Sequence, residues 1–256
     1  MTQAGENRFQ EFFGDDRYVG LKNHLYNYLL RKKAVKKAMK GENQLKVLEV
    51  GSGLSPVTDT GSHVIYSDLS LLALKTLKLN HGGGGHVVAD AVNLPFRTGT
   101  FSHVVSSEVL EHLPDDRAAI AEMARVMNPS GRLVITFPQG RHYFACDDRF
   151  VKHHRRYDLE EMLKLLDNAG IKPVSIRKIL GPLEKVAMCL AVAIFSISRK
   201  GRSDGCGPAA PLPPTGFAAT LFKWCNRAFA HLSRLDAFIA PRSLATVILI
   251  KAVHKD

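Results

Sequence analysis

Residues 47–53 read VLEVGSG, an apolar run interrupted by Glu49 and closed by two glycines around Ser52. A short apolar run that ends on glycine is what a buried strand entering a sharp turn requires, because glycine tolerates backbone angles closed to other residues and carries no side chain into a ligand's path. At the end of a strand, a G-x-G turn can set backbone amides against a nucleotide-type ligand. Further short apolar stretches follow at Lys46 to Val50 (the same strand), Val64 to Asp68, His86 to Asp90, Phe101 to Ser106 and Arg132 to Phe137. Between them, Ser70 can cap a helix running through Leu79 to the glycines at 82–85, and Pro114 to Met127 forms another that stops at NPSG. Asp158 stands before a helix from Leu159 to Ala169, and strands from Pro173 to Leu180 and Ala245 to Val253 complete the pattern. Strands alternating with helical crossovers predict an α/β fold with a doubly wound, mostly parallel sheet.

Four segments follow. Residues 1–44 read as helical, with Leu21, Leu25, Tyr28, Leu29 and Val35 spaced for one face of a helix from Tyr18 to Lys40 that ends in the basic run Arg31 to Lys40. Residues 45–180 carry the core, 181–243 form a helical insertion, and 244–256 return as the last strand. The insertion holds the apolar run Val186 to Ile197, a Gly/Pro-rich linker from Lys200 to Gly216 and an amphipathic helix from Phe217 to Ala240. On that helix Leu221, Cys225, Ala228, Leu232, Leu235 and Ile239 share a face, and Lys223, Arg227 and Arg234 lie off it.

A composition of 45% hydrophobic and 23% charged residues over 256 positions argues against disorder, and the net charge of +11 argues for an anionic partner. Cys146, Cys189, Cys206 and Cys225 are scattered, so neither a disulfide framework nor a metal site is signalled. The polar, acidic start MTQAGENRFQEFFGDD is unlike a secretory leader, and the apolar run at 186–197 is shorter than the roughly 18 residues that span a bilayer. The expected location is the cytoplasm, with peripheral contact at the inner face of an anionic membrane.

The turn continues as GSGLSP, with about ten residues before the next strand, so any helix there is short. A pyrophosphate gains from a full helix N-terminus, whereas S-adenosylmethionine has no phosphate and instead carries a sulfonium, an ammonium and a carboxylate. A poor phosphate cradle favours the latter. Glu49 places negative charge near the cationic methionine end, Asp68 ends a strand where it can accept from both ribose hydroxyls, and Asp90 can take the adenine amino group. The competing reading is that each acid caps the turn behind it.

The ordered stretches VLEVGSG, VIYSDLS, ADAVNLPF, FSHVVSSEVLEHLPD, EMARVMNPSGRLVITFP and HHRRYDLEEMLKLLDNAG resemble the class I methyltransferases, particularly those of ubiquinone and menaquinone biosynthesis, over about Leu45 to Gly170. The resemblance implies a seven-stranded Rossmann-like sheet with its last strand antiparallel. It also implies S-adenosylmethionine as cofactor, held over Glu49, Gly51, Ser52, Gly53, Asp68, Leu69, Asp90 and Ala91, with a contact at Ser107 or Glu108. Two departures stand out: the helix after Gly53 is short, and Ser102 replaces the usual Asp after the Phe of the fourth strand.

Methyl transfer needs alignment above all, with a base where the acceptor must lose a proton. The candidates are His112 and His153 or His154, with Arg155, Arg156 and Tyr157 available to hold an anionic acceptor. The competing readings are a histidine that packs at a helix start and a solvated basic loop. The fourth strand is followed by SSEVLEH, which carries neither the N/D-P-P-Y/F turn of amino methylation nor the cysteine of cytosine C5 methylation. Together with Trp224, Phe222 and the apolar insertion, this favours a small hydrophobic or lipid-like acceptor. An RNA or protein methyltransferase docking through its basic surface, and a non-catalytic cofactor-binding module, are the alternatives.

Overall fold

The computed structural model of the protein describes residues 23–40, 46–58, 63–190 and 216–255. Its centre is a seven-stranded sheet in the order β3-β2-β1-β4-β5-β7-β6. Strands β1 (Val47–Val50), β2 (Val64–Asp68), β3 (Gly85–Val88), β4 (Phe101–Ser107) and β5 (Met127–Pro138) pair in parallel. Strand β7 (Val247–His254) runs antiparallel between β5 and β6 (Ile171–Leu180), as the resemblance to class I methyltransferases implies for the last strand.

The alternation of side chains along each strand divides the core into two layers. Leu48 and Val50 of β1, with Leu133, Ile135 and Phe137 of β5, pack on one face against Ile120 and Met123 of α3 (Asp116–Val126) and Met162 and Leu166 of α5 (Leu159–Asn168). Val47, Val134 and Leu249 face the other way, toward Tyr28 and Val35 of α1 (Tyr26–Ala38) and Leu74 and Leu77 of α2 (Leu71–His81). A fully buried side chain of this kind contributes about 1.5–3 kcal/mol, so both faces of the sheet must be covered. A sheet buried on both sides reads as near-continuous apolar runs, which is why β1 showed so plainly in the sequence.

Boundaries moved where turn chemistry differs from its simplest form. Strand β3 ends at Val88, and Asp90 lies beyond it in a turn where its Oδ1 accepts from the Val92 amide at 3.1 Å. The NPSG stretch does not separate helix from strand. It forms an irregularity inside β5, whose register passes from Phe101 opposite Met127 to His103 opposite Arg132. Asp158 precedes α5 without a side-chain cap and approaches Arg141 instead, at 3.9 Å. Helix α1 begins only at Tyr26, and Leu21 lies outside the described residues. A short helix, α4 (Cys146–Phe150), follows β5 and was not anticipated.

Of the insertion, residues 182–190 form helix α6, while 191–197 of the apolar run and the linker through 215 lie outside the described residues. Helix α7 (Gly216–Ile239) packs on α1 and on the β6 edge through Phe229, Ser233, Ala237 and Ala240. The Asn226 Oδ1 accepts from the Tyr26 amide at 3.2 Å, and the Tyr26 and Phe229 rings meet edge to face at 4.6 Å. The stripe of Leu221, Cys225, Ala228, Leu232, Leu235 and Ile239 is turned outward and exposed, joined by Trp224 and Phe238. No described helix is long and apolar enough to cross a membrane. The described cysteines, Cys146, Cys189 and Cys225, are free thiols, and Cys206 lies outside the described residues.

Helix α2 is capped as its sequence predicts, by Ser70 Oγ accepting from the Ala73 amide at 3.2 Å. Ser70→Ala should lower stability by about 1 kcal/mol, read from urea unfolding, with the native far-ultraviolet spectrum kept.

Candidate active site

Ligands of open α/β sheets bind where neighbouring strands send their connections to opposite faces. Here that place is between β1, whose outgoing chain runs to β2 and packs Val57 in the layer of α1 and α2, and β4, whose chain runs through Leu110 to α3 in the other layer. A cavity of about 320 Å³ opens there, within the usual range for small-ligand sites. Its wall includes every residue that the sequence assigned to the cofactor: Glu49, Gly51, Ser52, Gly53, Asp68, Leu69, Asp90, Ala91, Ser107 and Glu108.

The turn is built differently from a phosphate cradle. The amides of Gly51 and Ser52 both donate to the Ser67 carbonyl, at 2.8 and 3.1 Å, and the Gly53 amide donates to Asp68 Oδ2 at 2.8 Å. The expectation that these amides point at a ligand is therefore corrected: β2 and Asp68 take all three. What the turn offers instead is shape and side-chain oxygen. Gly51 has φ of +70°, and a Cβ there would lie 2.4 Å from Val109 Cγ2. The hydroxyls of Ser52 and Ser55 are buried in the cavity wall and lack hydrogen-bond partners among the described residues. A ligand rich in hydroxyl, amino and carboxylate groups and free of phosphate suits this lining.

Glu49 is fully buried, and its carboxylate accepts from the amides of Val57 at 2.8 Å and Thr58 at 3.0 Å, and from the Thr58 hydroxyl. Burial raises its pKa, opposed by these bonds. It fixes the loop behind the glycine turn while lining the cavity. Asp68 does the same on β2, with Oδ1 accepting from Ser70 N at 2.9 Å. After β4, the Ser107 and Thr136 hydroxyls are 2.8 Å apart, and Glu108 takes a left-handed backbone with φ of 56°.

Other cavity residues come from elements outside this frame. Leu25, Tyr28 and Arg31 belong to the α1 region, and Met188 and Glu184 to α6. Tyr28 donates to the Pro56 carbonyl at 2.8 Å, and Arg31 stands 4.0 Å from Glu108. The sequence reading missed α1 as a cavity wall. Its basic run was treated as one unit, yet Arg31 turns inward while Lys33, Lys36, Lys37 and Lys40 are exposed. The helical period, with Tyr28 and Arg31 three residues apart, was the available signal.

The HHRRY stretch divides. His153 and His154 line the cavity, as does His112, and the His112 and His153 rings meet edge to face at 4.7 Å. Arg156 also lines it, buried, with Nε 2.7 Å from Asp148 Oδ1. Arg155 is bound elsewhere, its Nη1 donating to Asp116 at 2.9 Å and Nη2 to the Pro114 carbonyl at 3.1 Å. Tyr157 lies in the core, not in the cavity, with its hydroxyl 2.7 Å from Asp116 Oδ2, and burial raises its pKa beyond the ordinary phenol range. A phenol sandwiched in the sheet core positions the loop and is out of reach of an acceptor. Lys185, on α6, donates to Asp147 and Asp148, each at 2.6 Å. Burial would raise the Asp148 carboxyl, but bonds from His153 and Lys185, with the charge of Arg156, hold it well below the usual carboxylate range.

Residues 48–135 match the methyltransferase-domain family. A demethylmenaquinone methyltransferase of Streptomyces avermitilis is 33% identical over 108 residues, which is 41% of this chain and 47% of that protein. The chain spans about half the length, or less, of the first such relatives. Among solved structures, a chain of the complex between the Haloferax volcanii Trm112 methyltransferase activator and a methyltransferase superposes with a TM-score of 0.64 at 17% identity, covering 97% of this chain and 98% of that one. The Haemonchus contortus phosphoethanolamine N-methyltransferase 2, in complex with S-adenosylmethionine, does so at 0.59 and 14%, covering 97% of this chain and 60% of the other. Residues 48–135 carry a methyltransferase domain, and the fold is that of the class I S-adenosylmethionine-dependent methyltransferases. S-adenosylmethionine is the cofactor of the class, and the buried serine hydroxyls and the Gly51 cradle fit it.

Gly51→Ala should weaken S-adenosylmethionine binding at least tenfold in a calorimetric titration, since the new methyl meets Val109 and the backbone is strained. Glu184 carries a pH signature. Burial raises its pKa to about 7, so the folded state prefers the neutral acid. Its contribution is neutral below the unfolded carboxyl pKa, turns destabilising as pH rises toward 7, and levels off above that at about 3 kcal/mol. Glu184→Gln should therefore raise the denaturation midpoint at pH 8 and leave it unchanged near pH 4.

Proposed function

We propose that the chain transfers the methyl group of S-adenosylmethionine to a small hydrophobic or lipid-like acceptor at a membrane surface. The observation that carries this reading is the continuity of the cavity. Its frame at the ends of β1, β2 and β4 lies in the matched domain, while Leu25, Val151, Met188 and Val247 add apolar wall from outside it. The cofactor supplies a methyl group activated on a sulfonium.

The chain's own residues supply alignment and dryness. Glu49 and Asp68 hold the turn, α1 roofs the cavity through Tyr28 and Arg31, and α6 closes a side through Met188. Displacing water strengthens every polar contact inside such a cavity. His112 and His153 face the same space, where a proton must leave if the acceptor is an alcohol or phenol.

The outward stripe of α7 supports the membrane part. An amphipathic helix with exposed Trp224, Leu232, Leu235 and Phe238, bordered by Lys223, Arg227 and Arg234, matches an anionic lipid surface in both apolar area and charge. Its face toward the protein is already used by α1 and β6, so the helix is held in place with its apolar side outward.

Incubation with S-adenosylmethionine labelled on the methyl group and a total lipid extract should place label in the organic phase. Label in RNA or protein instead would overturn the acceptor assignment. In flotation, the chain should rise with vesicles containing phosphatidylglycerol, less with phosphatidylcholine alone, and Leu232→Asp with Leu235→Asp should leave it in the bottom fraction.

A further inference from the structure

We propose that Glu111, His112 and His153 form a binding site for one divalent metal ion of the manganese-to-zinc range, set in the wall of the cavity. Their ligand atoms all lie within 4.8 Å of one another. Ligands bound at about 2.1 Å around a tetrahedral ion stand roughly 3.4 Å apart, so small side-chain rotations complete the arrangement.

Glu111 is the observation that calls for a cation. Its side chain is fully buried, and neither carboxylate oxygen receives a hydrogen bond from the described residues. His153 Nε2 stands 3.7 Å from Oε1, beyond hydrogen-bonding distance. A carboxylate in that position is costly unless it is paired or bound to metal. Glu111 and His112 are consecutive residues on the turn that follows β4, and the backbone amide of His154 donates to the Glu111 carbonyl at 2.9 Å, bringing the His153 loop alongside.

The histidine is oriented as a ligand is. His153 Nδ1 lies 2.9 Å from Asp148 Oδ1, and Asp148 also pairs with the cations of Arg156 and Lys185. An ionised partner fixes the proton on Nδ1 and leaves the Nε2 lone pair toward Glu111, the carboxylate–histidine relay found behind metal-binding imidazoles. Two imidazoles with a carboxylate suit manganese, iron or zinc better than calcium.

His112 and His153 line the cavity, while Glu111 is not part of its wall. The open coordination positions therefore face the cavity, where they can take an oxygen of the acceptor. That consequence rests on the methyl-transfer reading; binding of the ion does not. A second cluster, Cys146, Cys189 and Asp147, would take zinc through its thiols, so the probe is Mn(II), which thiols bind poorly.

The full chain, stripped with chelator and desalted, is titrated with Mn(II) and followed by electron paramagnetic resonance. One ion per chain is expected. Glu111→Gln and His153→Gln should each weaken binding at least tenfold, and Asp148→Asn should weaken it by a similar factor through loss of the relay. Binding of S-adenosylhomocysteine, titrated separately, reports folding and the cofactor site in each variant. Wild-type chain that binds no stoichiometric Mn(II), or binds it as tightly after Glu111→Gln, overturns the metal site. Failure to bind S-adenosylhomocysteine would instead count against the methyl-transfer reading.

Discussion

The line where β1 and β4 lie side by side, with their chains leaving for opposite faces of the sheet, governs what this molecule can bind. Parallel strands whose crossovers diverge leave a crevice at their C-terminal ends, and no side-chain change elsewhere removes it. The crevice is useful only if its lip is rigid. Glu49 and Asp68 provide that, each a buried acid whose oxygens are bonded to amides of the connecting turns. Both therefore hold the scaffold as well as face the cavity. Removing either would disturb the loop before any ligand contact is counted, so activity alone does not separate the two roles.

The cavity has two origins. The end framed by the glycine turn and the acids of β2 and β3 belongs to the stretch that matches the methyltransferase domain, residues 48–135. The rest of the wall comes from α1, α6 and the loop between β5 and α5. These flanking parts are held by a buried network in which Asp148 meets Arg156, Lys185 and His153. A buried ionic network of this size contributes less to stability than to fixing one arrangement among several. Here the arrangement it fixes is the position of α4, α6 and the His153 loop around a single cavity.

Much of this was legible in the sequence, and the physical reasons are specific. Strands β1, β2, β4 and β7 are buried on both faces and appear as short stretches rich in apolar residues, and the glycine turn and the acid at the end of β2 follow directly from them. Tyr157 and Arg155 were misread because a basic and aromatic stretch looks the same whether it faces a ligand or is tied to Asp116, and only the tertiary contact distinguishes them. The role of Arg31 was hidden by its lysine neighbours. The unpartnered state of Glu111 has no signature in the sequence, since EVLEH reads equally well as a solvated turn. The face of α7 was read correctly as a set of residues, but which face turns inward was settled by Phe229, Ser233, Ala237 and Ala240, small or aromatic residues that fit against α1 and β6.

The internal bonding of the glycine turn also bears on selectivity in a cell. Adenine nucleotides are abundant, and they share the adenosine half of S-adenosylmethionine. A turn whose amides were free would reward their phosphates, and the protein would spend much of its time holding the wrong molecule. Because Gly51, Ser52 and Gly53 have already given their amide hydrogens to Ser67 and Asp68, a triphosphate finds none of these three donors free. Discrimination against the commonest competitor is thus built into the backbone of the first turn, ahead of any contact with the methionine end.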